Sequence, residues 1–249
     1  MPVSVSLLAA SAALRVASLD VCADEYLLLL ARPGEIASVS RVSHDPADSS
    51  LWRQARRYPA NRRELESVIA TRPTLLFSSS GGGRATSLIA ARLGIATLTL
   101  GYPASIAEVE ATMVRVATAL GDARRSNGWR QRLARLRASP LPQRDTIFLG
   151  GGGNSLAAGS LGAQWMALAG YRQRALPGGR ATLETLATRP PRILLRSTYR
   201  RSQPSLGQRW LDHPLARQSA ARTVATDGRP WTCAGPLMVG EIERLRGLR

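Results

Sequence analysis

One stretch constrains this chain more than any other: residues 105–138, SIAEVEATMVRVATALGDARRSNGWRQRLARLRA. Ser105 with Glu108 three residues on is a capping box, in which each side chain answers the other's orphan backbone N–H. Ile106, Val109, Met113, Val116, Ala117 and Leu120 recur at spacings of three and four. Trp129, Leu133 and Leu136 resume an apolar stripe until Pro140 and Pro142 stop it. Read as one helix rising 1.5 Å per residue, the stretch spans roughly 50 Å, more than a small domain is wide. Such a helix is a strut between two domains. The competing reading is two consecutive helices within one domain, broken near Gly121.

Strand and helix patterns alternate on both sides of the strut. Before it, β-prone runs at 15–19, 36–40, 75–77 and 96–100 alternate with helical segments at 26–31, 65–71 and 86–93. After it, runs at 146–149, 193–195 and 222–225 alternate with helical segments at 162–169, 183–188, from 206 and from 236. This rhythm builds parallel sheets covered on both faces. The expected fold is α/β: two Rossmann-like lobes with parallel sheets, at 14–104 and 140–249, joined by one long interlobe helix at 105–139. An internal repeat supports two lobes. Residues 65–76 (LESVIATRPTLL) and 183–194 (LETLATRPPRIL) each read as helix, proline break and buried strand, with Glu66 and Glu184 at matching positions.

The 249-residue chain has a formal net charge of +17, and all 34 basic residues are arginine. An excess of that size attracts nucleic acid or an anionic membrane when it is gathered into a patch. Here the arginines are scattered, with only short pairs such as Arg56-Arg57 and Arg200-Arg201, so no nucleic-acid partner is expected. No apolar run reaches the ~20 residues of a membrane span. Residues 3–14 have the length of a signal-peptide apolar core and end near the small-x-small triplet Ala10-Ser11-Ala12, without a basic leader. Residues 1–13 are therefore expected to be a truncated secretory signal. Cys22 and Cys233 suffice for one bridge in an oxidising compartment. The readings, in order, are two separate thiols, a disulfide, and last a metal site shared with His44.

The glycine-rich loops at 78–83 and 150–153 complete neither a dinucleotide fingerprint nor a Walker A motif. His44 and His213 have no Ser–His–Asp spacing around them. No catalytic residue, resident cofactor or metal is expected, which leaves a nucleotide- or cluster-using enzyme and an arginine-rich nucleic-acid binder as alternatives. Trp52, Trp129, Trp165 and Trp210 fall in helical patterns and read as packing residues. Trp231, in a Gly/Pro-rich loop, is the better candidate to touch a ligand.

The segments RVASLDVCADEYLL, LESVIATRPTLLFSS, ARLGIATLTL and SIAEVEATMVRVATALG resemble, in order and spacing, the periplasmic binding proteins of ABC importers for cobalamin, haem and ferric siderophores. GGGGNSLAAGSLGAQWMALAGY, SLGQRWLDHP and DGRPWTCAGP resemble a subgroup of the same family. The resemblance implies a monomeric, non-enzymatic periplasmic protein that holds a metal chelate between two lobes and delivers it to an inner-membrane permease and its ATPase. It also implies that Glu66 and Glu184 dock on permease arginines, although each equally suits the first turn of a helix by its dipole. Ligands of open parallel sheets sit beyond the carboxyl ends of strands. Cys22, His44, Ser80, Tyr102, Asn154, Tyr199 and Trp231 are the candidates there, with Arg200 to meet an anionic group.

Overall fold

Short runs of small and apolar residues form two parallel sheets in the computed structural model, which describes residues 13–79, 83–217 and 219–248. Strands β1 (Val16–Ser18), β2 (Ile36–Ser40), β3 (Ala60–Asn61), β4 (Leu75–Ser78) and β5 (Ala96–Thr99) pair in the order β3-β2-β1-β4-β5. Strands β6 (Arg144–Leu149), β7 (Tyr171–Gln173), β8 (Ile193–Ser197) and β9 (Arg222–Thr226) pair in the order β7-β6-β8-β9. All neighbours in both sheets are parallel. Every residue of β1, β2 and β4 is buried, because helices cover both faces of a parallel sheet.

The first sheet is covered by α1 (Val21–Leu30), α2 (Trp52–Ala55), α3 (Leu65–Ile69) and α4 (Gly83–Arg92). Between the sheets run α5 (Ile106–Ala119) and α6 (Asn127–Ala138). The second sheet carries α7 (Leu161–Leu168), α8 (Leu183–Thr188), α9 (Leu206–Leu211), α10 (Pro214–Arg217), α11 (Gly228–Cys233) and α12 (Met238–Gly247). Among the described residues, no helix is long and apolar enough to cross a membrane.

The two-lobed α/β architecture matches the expectation, but the connection is not one continuous helix. Gly121 adopts φ +88°, which the missing Cβ permits, and stops α5. Its N–H donates to Thr118 O, and the N–H of Asp122 reaches back to Ala117 O, satisfying carbonyls at the helix end. The Asp122 carboxylate then accepts from Arg124 N to cap a 3₁₀ turn, after which α6 begins. The buried face of α5 nevertheless joins the lobes. Ile106, Val109, Met113 and Val116 belong to one apolar cluster with Val16, Leu27 and Phe77 of the first lobe and with Phe148, Trp165 and Leu195 of the second.

Cys22 and Cys233 form a disulfide, with 5.4 Å between their Cα atoms, so the reading as two separate thiols is overturned and neither sulfur is free to bind a metal. The cause is topological: α1 starts directly after β1, α11 starts directly after β9, and both helices stand at the carboxyl edges of their sheets. The turn after α11 is held further. Trp165 Nε1 donates to Ala234 O at 2.8 Å, and Trp129 Nε1 donates to Pro236 O at 2.7 Å. Both of these tryptophans are buried, whereas Trp52 and Trp210 are half-buried.

Trp231 lies in a helix rather than a loop. Asp227 caps α11 by accepting from Arg229 N, and Pro230 sits within the first turn, where its missing N–H costs nothing. The secretory-signal reading of residues 1–13 lies outside the described residues except for Ala13, and Ser80 lies outside them too.

Candidate functional site

The carboxyl ends of β6, β8 and β9 open onto a cavity of ≈ 610 Å³. Phe148, Trp231, Tyr199 and Arg200 form its principal walls, and Asn154 and Gln208 contribute to its polar rim. Phe148 is the penultimate residue of β6, and its ring centroid lies 5.0 Å from that of Trp231 at an interplanar angle of 49°. A polar chain fixes the Trp231 ring. Its Nε1 donates to Thr226 Oγ1 at 2.7 Å, that hydroxyl donates to Glu241 Oε1 at 2.5 Å, and Arg244 grips the same carboxylate at 2.5 and 2.8 Å. The wall is therefore set before any ligand arrives.

Gly228 lets the Tyr199 loop seat against α11. A Cβ there would stand 2.2 Å from Ser197 Oγ and 2.4 Å from Tyr199 Cβ, so any other residue displaces the loop. Arg200 follows with φ +50°, a left-handed backbone that costs a non-glycine residue of order 1 kcal/mol. What holds it comes from the other lobe. The Asp48 carboxylate accepts from Tyr199 OH at 2.8 Å, from Arg200 Nε at 2.9 Å and from Arg200 Nη2 at 2.7 and 2.8 Å. Burial and the Asp48 carboxylate together push the Tyr199 phenol above its usual range.

Tyr199 and Arg200 also line a second cavity, of ≈ 750 Å³, on the interlobe side, with Pro46, Ala47, Asp227 and Arg229. Arg229 Nη1 donates to Pro46 O at 2.9 Å, and its Nη2 meets Asp227 at 2.7 Å. Against the upward push of burial, hydrogen bonds from Arg229 hold the Asp227 carboxyl below its ordinary value. The Tyr199-Arg200 turn is thus the partition between the two cavities.

Behind this junction the first lobe hides two acids on α1. Asp24 is fully buried and accepts from the hydroxyls of Ser18, Ser40 and Ser43, the latter two at 2.5 and 2.6 Å, and from Ser40 N. Burial pushes its carboxyl up to about 7, against the lowering effect of those hydrogen bonds. Glu25 is 3% exposed. Burial, reinforced by the neighbouring Asp24 charge, raises its carboxyl well above the ordinary value, against the lowering effect of the Leu237 backbone N–H from the second lobe. Asp24 pins the turn Arg41–His44, which leads into the loop bearing Asp48.

Of the residues singled out in the sequence, Asn154, Tyr199, Arg200 and Trp231 meet in one cavity. The others do not join them. Cys22 is tied up in the disulfide. His44 ends a 3₁₀ turn with its Nε2 buried and without a hydrogen-bond partner. Tyr102 is 75% exposed and borders a separate cavity of ≈ 240 Å³ beside α5. Glu66 and Glu184 are both exposed, in the first turns of α3 and α8. Among the described residues, no cluster of three or more His, Cys, Asp or Glu is placed to hold a metal ion.

The loop at 150–153 is no phosphate cradle. Gly152 and Gly153 adopt φ +67° and +79°, and α9 packs over the loop, so that a Cβ on Gly207 would lie 3.2 Å from Gly152 N. Sequence reasoning missed Phe148, which reads as one more apolar strand residue, and Asp48, which sits in an unremarkable polar loop.

No protein-family model matches the chain, and neither does any curated protein. Solved structures do. The periplasmic heme-binding protein HutB of Vibrio cholerae superposes with a TM-score of 0.69 at 17% identity, covering 94% of this chain and 98% of HutB. A periplasmic heme-binding protein from Pseudomonas aeruginosa gives a TM-score of 0.66 at 20% identity, with 94% and 91% covered. The vitamin B12 binding protein BtuF of Vibrio cholerae gives 0.62 at 18% identity, with 94% and 95% covered. The chain therefore has the two-lobed fold shared by periplasmic heme- and vitamin B12-binding proteins.

Proposed function

We propose that this chain is the monomeric solute-binding component of an ABC importer, exported to the periplasm, that captures a metal chelate: cobalamin, haem or a ferric siderophore. One observation carries the reading. Three aromatic side chains and one guanidinium converge on a single cavity at the carboxyl edge of a parallel sheet. A flat conjugated ring stacking on such walls gains roughly 0.5–1.5 kcal/mol per aromatic partner beyond its buried area, and a guanidinium orients a carboxylate. The ligands that the similar proteins are named for, heme and vitamin B12, belong to this chemical class. No covalent chemistry is involved; capture is an equilibrium followed by modest lobe movement.

In this reading residues 14–104 and 140–249 are the lobes and 105–139 the connection. Glu66 and Glu184 meet arginines of the permease, whose ATPase drives release. The test is a tryptophan-fluorescence titration of the purified protein with cobalamin, haem and several ferric siderophores, corrected for ligand absorption. Saturable one-to-one quenching at micromolar or tighter affinity by one of them is expected. Silence across the panel from folded protein refutes the reading.

A further inference from the structure

Resting on that reading, we propose that Asp48 is an internal anion that sets which ligand charges the cleft accepts, by occupying the donors an anionic ligand would otherwise use. Tyr199 and Arg200 are donor side chains shared by both cavities. Their hydroxyl, Nε and Nη2 are all turned to one carboxylate supplied by the opposite lobe. The remaining terminal nitrogen, Nη1, donates to Gln203 Oε1 at 3.2 Å. In this ion pair the guanidinium faces the open space: the Arg200 side chain is 42% exposed and that of Asp48 11%. An anionic group entering the cavity meets a cation already neutralised from behind, and must share or displace Asp48 to be bound.

Asp48 is not needed merely to tie the loop down. Arg229 already holds the loop through Pro46 O and Ser49 O, and Ser50 Oγ donates to Asp227 at 3.3 Å. The net charge of +17 draws anions to the whole surface. Asp48 offsets that pull at Arg200, the guanidinium shared by both cavities, and so tilts this part of the cleft toward neutral or weakly charged chelates over polyanionic ones.

The experiment compares two probes of the same shape and different charge: haem, with two free propionates, and haem dimethyl ester, in which both are capped. Dissociation constants are measured at low ionic strength, where exposed charges are least screened. Asp48→Asn keeps the side-chain shape and removes the charge. It should shift the affinity ratio toward haem by about tenfold, the scale of one charge-assisted hydrogen bond. Arg200→Gln leaves the Asp48 charge uncompensated and should shift the ratio the other way. A ratio unchanged within about twofold in Asp48→Asn, or an equal loss for both probes, overturns the inference while leaving the function standing. Folded wild-type protein that binds neither porphyrin and none of the wider chelate panel overturns the function, and the inference with it.

Discussion

The disulfide between Cys22 and Cys233 should dominate the stability of this protein. It closes a loop of 211 residues, nearly the whole chain. Cross-linking removes conformational freedom from the unfolded chain, and the polymer estimate for a loop of that length is about 5 kcal/mol. Native proteins hold only about 5–15 kcal/mol in total, so this one bond is comparable with the entire margin. The perturbation is Cys22→Ala, Cys233→Ala and the pair together, each compared with the oxidised wild type in urea by tryptophan fluorescence. The apolar cluster built around α5 and the hydrogen bond from Arg229 to Pro46 O still join the lobes without it, so a folded native state is expected. Either single substitution should cost as much as the double one, about 3–5 kcal/mol, because each removes the same bridge. The slope with urea should rise as well, since an uncross-linked unfolded chain exposes more surface. A loss below about 1 kcal/mol, with an unchanged slope, would refute the reasoning.

Trp231→Ala removes one aromatic wall of the cavity and should weaken binding of the chelate found in the titration by at least about tenfold; unchanged affinity removes α11 from the site. The carboxyl of Asp24 titrates at about 7 when folded and near 3.9 in an unfolded chain. The native state therefore holds the proton more tightly, so the contribution is complete below pH ~4 and lost as pH rises through ~7, by up to about 4 kcal/mol. Asp24→Asn stays neutral and should flatten the fall in stability between pH 4 and 8, which urea midpoints across that range report; an equally steep fall in the variant refutes the assignment. Glu25 adds a fall of the same sign that the substitution leaves in place. Reversing Glu66 and Glu184 to arginine together should abolish uptake in whole cells while ligand affinity stays within about twofold; normal transport by that variant ends the docking assignment.

What the sequence revealed follows from which signals are local. The buried strands β1, β2, β4, β6 and β8 are legible because parallel strands covered on both faces read as unbroken small and apolar runs. The edge strands β3 and β7 have two and three residues, too few to show any period. Two misreadings had a signal available. Gly121-Asp122 is a helix stop followed at once by a new cap, and Asp227-Gly228-Arg229-Pro230 is a capped first turn as well as a turn. The two cysteines left the disulfide as a second reading, and the burial of Asp24 had no signal at all. Val21–Leu30 reads as a helix with acids at its start, and only Ser40 and Ser43, 16 and 19 residues on, show that Asp24 faces inward. Asn154, Tyr199, Arg200 and Trp231 gathered in one cavity because each follows a strand of the same sheet. Cys22 and Tyr102 follow strands of the other one.

That difference between the sheets explains why the two lobes do not offer a ligand the same chemistry. In each sheet the order of strand addition reverses once, between β1 and β4 in the first and between β6 and β8 in the second. At the first reversal Asp20 bridges the crevice, accepting from Ser79 N and Ser79 Oγ at 2.7 Å while it caps α1. The ≈ 350 Å³ hollow that remains is lined, among the described residues, by Asp20, Arg41, Arg62, Arg63 and Glu64 together with Leu19 and Ser78, none of them aromatic. At the second reversal, glycines 150–153 follow β6, and α9 packs over them. Phe148, Trp231 and Tyr199 face the open volume instead. In the proposed function the second lobe supplies the stacking surface. The first supplies charge, and through Asp48 it reaches across to govern how much of the second lobe's charge a ligand can use.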